Sequence, residues 1–133
     1  MKTETIKQKF DPDDKSREFA EYEVVGHCLV IRLHRELDHH CAIYVKERSD
    51  YLINKRHIKN IIFDFKYAHF MDSSGIGVIM GRYKSVIFTG GKVAVSNVDA
   101  AVDRIFELSG LYKIIGKYEK TEDAIRELKD TAY

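Results

Sequence analysis

Hydrophobic positions along the chain change their spacing in a way that predicts strands and helices in alternation. Residues 19–24 alternate in polarity, and a second segment of strand length, 27–33, follows Gly26, which predicts a β-hairpin. The apolar run 58–65 has the length of a strand buried on both faces. The other predicted elements are a helix of ten to fourteen residues around 42–52, a helix from Asp72 to the Gly90–Gly91 pair, a strand at 92–95, a helix at 99–108, an edge strand at 114–115 and a helix at 121–129.

This order of elements predicts an α/β fold. We expect a mixed β-sheet of four to five strands that begins with a β-hairpin and has about four helices packed against it. Residues 1–18 are polar and contain the only proline of the chain, so we expect a flexible N-terminal arm followed by one folded domain over residues 19–131. With 44% hydrophobic residues, 133 residues supply a single core.

Composition and charge exclude several functions. The 22 basic and 21 acidic residues form no long block of one sign, which argues against direct binding of nucleic acid. No apolar run reaches the roughly 20 residues of a membrane span, and no signal peptide is recognised, so we expect a cytoplasmic protein without membrane contact. Cys28 and Cys41 lack metal-ligand spacing, and we interpret His34, His39 and His40 as solvated loop residues. No metal or cofactor is therefore predicted.

The segment 70–77 carries the candidate chemistry, because it lies where a buried strand is followed by a helix. Asp72 is predicted to cap that helix, and the hydroxyls of Ser73 and Ser74 would lie near its free N–H groups. A phosphate is electrostatically tolerated at such a position. The alternative is that these three residues do nothing beyond capping. In the preceding loop, Asp38 is a candidate cap for the helix that follows.

Patterns typical of enzymes are not met. Neither serine has the Gly-x-Ser-x-Gly context of a hydrolase nucleophile. Gly75, Gly77 and Gly81 are spaced one residue too widely for a dinucleotide fingerprint, and no phosphate-binding Gly-Lys-Ser/Thr motif is present. Ser74, Gly77, Gly81 and Ser85 instead form a stripe of small residues on one side of a helix. Such a stripe allows the close approach of either a neighbouring helix or a partner protein.

Three segments together resemble a known family. Residues 36–40 (Glu-Leu-Asp-His-His), 70–84 (beginning Phe-Met-Asp-Ser-Ser-Gly) and 104–111 occur in the order found in the anti-sigma factor antagonists, whose domain is called STAS. The resemblance covers about residues 19–131 and is strongest to the stage II sporulation type. Arg35 departs from the pattern, since the family usually has glycine there.

The resemblance implies a binding module and not an enzyme. Its unphosphorylated form would bind an anti-sigma factor, which is an ATP-dependent serine kinase, and would release a sigma factor to activate transcription. Phosphorylation of Ser73 would abolish binding, and a serine phosphatase would restore it. The implied docking residues are Glu36, Asp38, His39, Asp72, Ser73, Ser74, Gly75, Ile76, Gly77 and Arg82. The alternative within the same fold is an interaction domain of a stress-signalling scaffold, phosphorylated but not specific to sporulation.

Overall fold

Within the described residues, which are 5–7 and 16–130 of this computed structural model, six strands lie side by side in the order of the chain. The strands are β1 (Thr5–Lys7), β2 (Ala20–Val25), β3 (Cys28–Leu33), β4 (Asn60–Asp64), β5 (Val93–Ser96) and β6 (Gly116–Tyr118). The helices are α1 (Ser16–Phe19), α2 (Ala42–Arg56), α3 (Ser73–Ile87), α4 (Ala100–Ser109) and α5 (Thr121–Leu128), with a 3₁₀ turn at Leu111–Lys113. β1, β2 and β3 pair in antiparallel fashion, whereas β3 to β6 are parallel.

The parallel connections place three helices on the same face of the sheet. The chain passes from β3 to β4 through α2, from β4 to β5 through α3 and from β5 to β6 through α4, always moving one strand in the same direction. Because such crossovers are right-handed, the three helices share one face. The larger core lies there and includes Ile31, Phe63 and Val95. α5 follows β6 and packs Ala124 and Leu128 on the opposite face.

A buried side chain of β4 fastens α5 to the sheet. Asn60 is fully buried; its Nδ2 donates to the Leu128 carbonyl at 2.8 Å, and its Oδ1 accepts from the Lys92 N–H at 2.8 Å. The first bond satisfies a carbonyl in the last turn of α5, and the second satisfies the N–H directly before β5. Cys28 lies in the same small core beneath α5, where burial raises the pKa of its thiol to about 12. The second core is therefore closed by one short helix.

The fold class and most of the predicted elements are confirmed. The hairpin turns at Gly26, whose φ of 61° is left-handed and favours glycine. β4 is buried along its whole length, as the apolar run predicts, because helices cover both faces of the sheet at that strand. The four longer helices are those expected, and α1 is an additional helix of four residues. β2 to β6 form the predicted five-stranded part of the sheet, and β1 adds an edge strand.

Two local predictions are wrong. The edge strand lies at Gly116–Tyr118 and not at 114–115, because the 3₁₀ turn places the apolar pair in the connection before the strand. Asp38 does not cap α2. The residue at the N-cap position is Cys41, whose side chain makes no capping bond, while the Asp38 carboxylate accepts from the His40 N–H within its own loop. α2 is also somewhat longer than predicted, with 15 residues.

The predicted N-terminal arm falls only partly within the described residues. Of residues 1–18, Thr5–Lys7 forms β1 against Glu23–Val25, and Ser16–Phe19 forms α1. The prediction for the rest of the arm lies outside the described residues, and the domain boundary at residue 19 stays a prediction.

Candidate functional site

The two motifs of the candidate site meet at the sheet edge where β3 and β4 end. We call residues 34–41 the β3 loop and residues 65–72 the β4 loop. Leu37 and Met71 continue the parallel pairing beyond the strands as an isolated β-bridge, and both side chains are buried. The Asp72 N–H donates to the Leu37 carbonyl at 3.4 Å. The loops are therefore joined by backbone pairing, and the start of α3 lies beside the β3 loop.

Gly75 allows this close approach. A Cβ at this position would lie 2.2 Å from the Leu37 carbonyl oxygen and 2.6 Å from the Met71 Cγ. The first of these neighbours is backbone that is held by the bridge, so it cannot easily move away. Glycine is thus required at position 75 for packing the first turn of α3 against both loops.

Asp72 connects the β3 loop to α3 through both oxygens of its carboxylate. Oδ1 caps the helix by accepting from the N–H groups of Ser74 at 2.8 Å and Gly75 at 3.2 Å. Oδ2 accepts from the His39 N–H at 3.0 Å and lies 3.2 Å from His39 Nδ1. The predicted capping role is confirmed, and the carboxylate additionally spans 33 positions of sequence.

These donors keep the Asp72 carboxyl group ionised. Desolvation acts to raise its pKa, but the hydrogen bonds from Gly75, His39 and Ser74 together outweigh that effect and lower the pKa below its ordinary value. The positive end of the α3 dipole acts in the same direction. A fixed negative charge therefore lies directly before Ser73 at neutral pH.

Ser73 is the first residue of α3, and it is exposed. Ser74 and Ile76 are half-buried, whereas Gly77 is exposed one turn further along the helix. The N–H groups of the first helical turn have no carbonyl partner within the helix, which favours an anionic group nearby. A phosphate on Ser73 therefore has both access from solvent and electrostatic tolerance from the host helix.

The β3 loop contributes acidic and imidazole groups to the same surface. Glu36 and Asp38 are half-buried, and His39 and His40 are exposed. Besides accepting from the His40 N–H at 3.0 Å, the Asp38 carboxylate lies 3.6 Å from His40 Nδ1. The two imidazole rings contact each other with their centroids 4.0 Å apart and their planes tilted by 36°. With Asp72, the two bridged loops carry three carboxylates.

The stripe of small residues on α3 is open to the surface. A Cβ at Gly77 or at Gly81 would meet nothing within 4 Å. The interpretation that the stripe accommodates a neighbouring helix of the same fold is therefore wrong for these two glycines. The other interpretation, close approach of a partner protein, stays a prediction.

Arg82 lies apart from this surface. It is 4% exposed, its Nη2 lies 2.9 Å from the Asp50 carboxylate, and its Nη1 donates to Ser49 Oγ at 3.5 Å. Burial lowers its pKa, which the nearby Asp50 charge partly offsets. These contacts connect α3 with α2 and give Arg82 a structural role in this conformation.

Two features near the site were missed from the sequence. Phe70, next to the β-bridge, is an exposed aromatic residue three positions before α3, with 50% of its surface accessible. His69 Nδ1 lies 2.8 Å from Asp99, whose other oxygen caps α4 by accepting from the Val102 N–H. This arrangement repeats the His39–Asp72 pair at the next helix. The only sequence signal for it is an aspartate before each helix.

Among the described residues, no three His, Cys, Asp or Glu side chains are grouped so that they could hold a metal ion. None of the helices in this part of the chain is both long and apolar enough to cross a membrane.

The fold and this site define a member of the STAS domain family, whose model matches residues 19–127. The chain belongs to this family, as the three sequence segments predict. Over 101 residues it is 43% identical to the anti-sigma F factor antagonist of Paenibacillus polymyxa, which covers 76% of this chain and 86% of that protein.

Solved structures agree with this assignment. The unphosphorylated form of the anti-sigma factor antagonist SpoIIAA is 26% identical and superimposes with a TM-score of 0.69, covering 84% of this chain and 99% of that one. The phosphorylated form of SpoIIAA, described as a Bacillus cell fate determinant, is 30% identical with a TM-score of 0.66, covering 81% and 97%. The resemblance to the stage II sporulation type is thereby confirmed.

Proposed function

We propose that this protein is an anti-sigma factor antagonist of the sporulation type, controlled by phosphorylation of Ser73. The unphosphorylated form binds an anti-sigma factor that is a serine kinase, and the sigma factor held by that kinase is released. The kinase transfers a phosphoryl group from ATP to Ser73, which ends binding, and a serine phosphatase restores the active form. The protein itself acts by binding and not by catalysis.

The observation that carries the proposal is the exposed Ser73 at the start of α3, beside the β3 loop. The names of the relatives support an antagonist of an anti-sigma factor, and one similar protein has been described in both unphosphorylated and phosphorylated forms. We take the docking surface to comprise the β3 loop and the first turns of α3. It includes Glu36, Asp38, His39, Asp72, Ser73, Ser74, Gly75, Ile76 and Gly77. We leave Arg82 out because it is buried.

Phosphorylation would change this surface by charge and size without disturbing the core. A phosphoserine adds about −1.5 to −2 charges at neutral pH, next to the ionised Asp72. Since Asp38 and Glu36 lie in the adjoining loop, the added charge makes the surface strongly acidic. Acidic groups of a partner are then repelled, and a closely packed interface has no room for the phosphate. The N-terminus of α3 offsets part of the electrostatic cost within the domain.

The experiment that tests the proposal is mass spectrometry after incubation with ATP and native host extract. Wild-type protein is compared with Ser73→Ala and with Ser74→Ala, which removes the neighbouring hydroxyl as a matched control. We expect one phosphoryl group on Ser73 in the wild type and in Ser74→Ala, and none in Ser73→Ala. Phosphate on Ser73→Ala would contradict the assignment. If extract that modifies a known family member leaves this protein unmodified, control by phosphorylation of Ser73 is refuted.

Binding to the kinase provides a second, independent test. Calorimetric titration with the purified kinase and ADP should give tight binding for wild type and Ser73→Ala. Ser73→Asp should bind at least tenfold more weakly, because it places a negative charge at the start of α3. Equal affinity of Ser73→Asp and wild type would refute the charge mechanism.

A further inference from the structure

The contact between His39 and Asp72 determines which ring nitrogen of His39 carries hydrogen. Nδ1 lies 3.2 Å from Asp72 Oδ2, and the lowered pKa of Asp72 means that this carboxylate is ionised. An ionised carboxylate only accepts hydrogen bonds, so Nδ1 must donate. In the neutral ring, Nε2 is then the nitrogen without hydrogen. Because the His39 side chain is 66% exposed, a second proton can reach the ring from solvent.

The charged and titratable groups that contact this ring are Asp72 at the start of α3 and His40 in its own loop. The His40 ring contacts the His39 ring with the centroids 4.0 Å apart and the planes tilted by 36°. His40 Nδ1 in turn lies 3.6 Å from the Asp38 carboxylate. His39 is thus the imidazole that directly contacts the charge next to Ser73. Its neighbour His40 is directed towards a different carboxylate.

We propose that His39 is the counter-charge of the phosphorylated site: when Ser73 carries phosphate, Nε2 of His39 binds a proton, and the imidazolium stabilises the added negative charge. This inference rests on the proposed function, since it assumes a phosphate on Ser73. In the modification itself, the γ-phosphoryl group moves from ATP to Ser73 Oγ, ADP leaves, and the hydroxyl proton goes to solvent. The proton that His39 gains also comes from solvent.

Histidine is suited to this role because its charge changes between about pH 5 and 8. Before phosphorylation, one carboxylate contacts the ring. Afterwards, up to two further negative charges stand on the residue that follows Asp72. The positive charge of the site would therefore increase when the phosphate is present. Lysine or arginine at the same place would be charged in both states.

The chain contains an internal control for this inference. At α4, His69 pairs with the capping Asp99 in the same manner, with Nδ1 2.8 Å from Oδ2. The two residues after Asp99 are Ala100 and Ala101, so this helix start has no hydroxyl to modify. Any effect of introducing charge at position 73 should therefore appear at His39 and be much smaller at His69.

The first test is nitrogen-15 NMR of the histidine rings in wild type and Ser73→Glu, at low ionic strength and without any kinase. We expect the signature of hydrogen on Nδ1 for neutral His39. We also expect the ratio of charged to neutral His39 rings near pH 7 to rise about twofold in Ser73→Glu, which is the order of effect that one nearby unit charge exerts in water. Hydrogen on Nε2 in neutral His39 would overturn the inference, as would equal changes at His39 and His69.

The second test uses the phosphorylated protein and its phosphorus-31 resonance as a function of pH. A protonated His39 favours the doubly charged phosphate, so the resonance should titrate at lower pH in wild type than in His39→Gln. The matched variant His69→Gln should behave as wild type. Identical titration of wild type and His39→Gln would refute the counter-charge role. Absence of phosphorylation by the kinase would instead contradict the proposed function, and the Ser73→Glu test would still decide the role of His39.

Discussion

Gly77→Ala separates the stability of the fold from the fit of the proposed docking surface. Gly77 lies within α3, is exposed, and has open space around the position of a Cβ. Glycine inside a helix is less favourable than alanine by about 1 kcal/mol, because the flexible unfolded backbone loses more entropy on folding. The methyl group should therefore stabilise the protein by about this amount, which corresponds to a rise in Tm on the order of 4 °C for a domain of this size.

The same methyl group should weaken binding of the proposed kinase partner. If a partner packs against the open side of α3, an added carbon atom must be accommodated in a closely packed interface. Overpacking of this kind costs about 1–3 kcal/mol, which corresponds to a Kd raised by about 5-fold to more than 100-fold. One substitution is thus expected to give a more stable protein that binds its partner less well.

Gly75→Ala is the matched control. Its Cβ would lie 2.2 Å from a backbone oxygen, so this change should destabilise the fold by more than 1 kcal/mol in spite of the helical preference for alanine. Urea unfolding and calorimetric titration with the kinase measure both quantities for the two variants. The reasoning is refuted if Gly77→Ala lowers stability. If it leaves the Kd unchanged, this side of α3 does not belong to the interface.

Three further substitutions test particular contacts by urea unfolding. Asp72→Ala should cost about 0.5–2 kcal/mol at pH 7 through loss of the cap. Because folding lowers the pKa of Asp72, its contribution to stability is complete at pH values above the pKa of the unfolded chain and is lost as the pH falls through the pKa of the folded protein. Wild type and Asp72→Ala should therefore have the same stability in strong acid, as far as this group is concerned. Asp50→Ala removes the carboxylate that pairs with the buried Arg82 guanidinium and should cost about 1–3 kcal/mol. Adding Arg82→Met should recover part of the loss. Asn60→Ala removes the bond to α5 and should also cost about 1–3 kcal/mol. Because α5 covers Cys28, the thiol of this variant should be alkylated faster than that of the wild type. An unchanged alkylation rate would show that Asn60 does not hold the helix in place.

The sequence predicts best those elements whose signal is local. Asp72 caps α3 as expected, because the bond runs from its side chain to N–H groups two and three residues ahead. The hairpin at Gly26 and the buried strand β4 likewise follow from spacing and from an unbroken apolar run. The spacing of residues does not assign a function to the three motifs. That assignment comes from their resemblance to a known family.

Features that depend on tertiary packing were not predictable in this way. β6 has no apolar run and is defined by its backbone pairing with β5. The apolar pair at 114–115 therefore led to a predicted strand that begins two residues too early. Asp38 resembles a helix cap in sequence, but its carboxylate is used by the His40 N–H. The contact of His39 with Asp72 joins residues 33 positions apart, which the backbone pairing between their loops brings together.

The strand order of the sheet has a consequence for folding during synthesis. Because spatial order equals chain order, each strand from β2 onward pairs with one that the ribosome has already made. The helices α2, α3 and α4 cover their face of the sheet one after another as their strands are added. The opposite face is different, since Val30 and Ile62 stay uncovered until α5 emerges. The synthesis of α5 therefore determines how long a nascent chain exposes this apolar surface to chaperones and to other nascent chains.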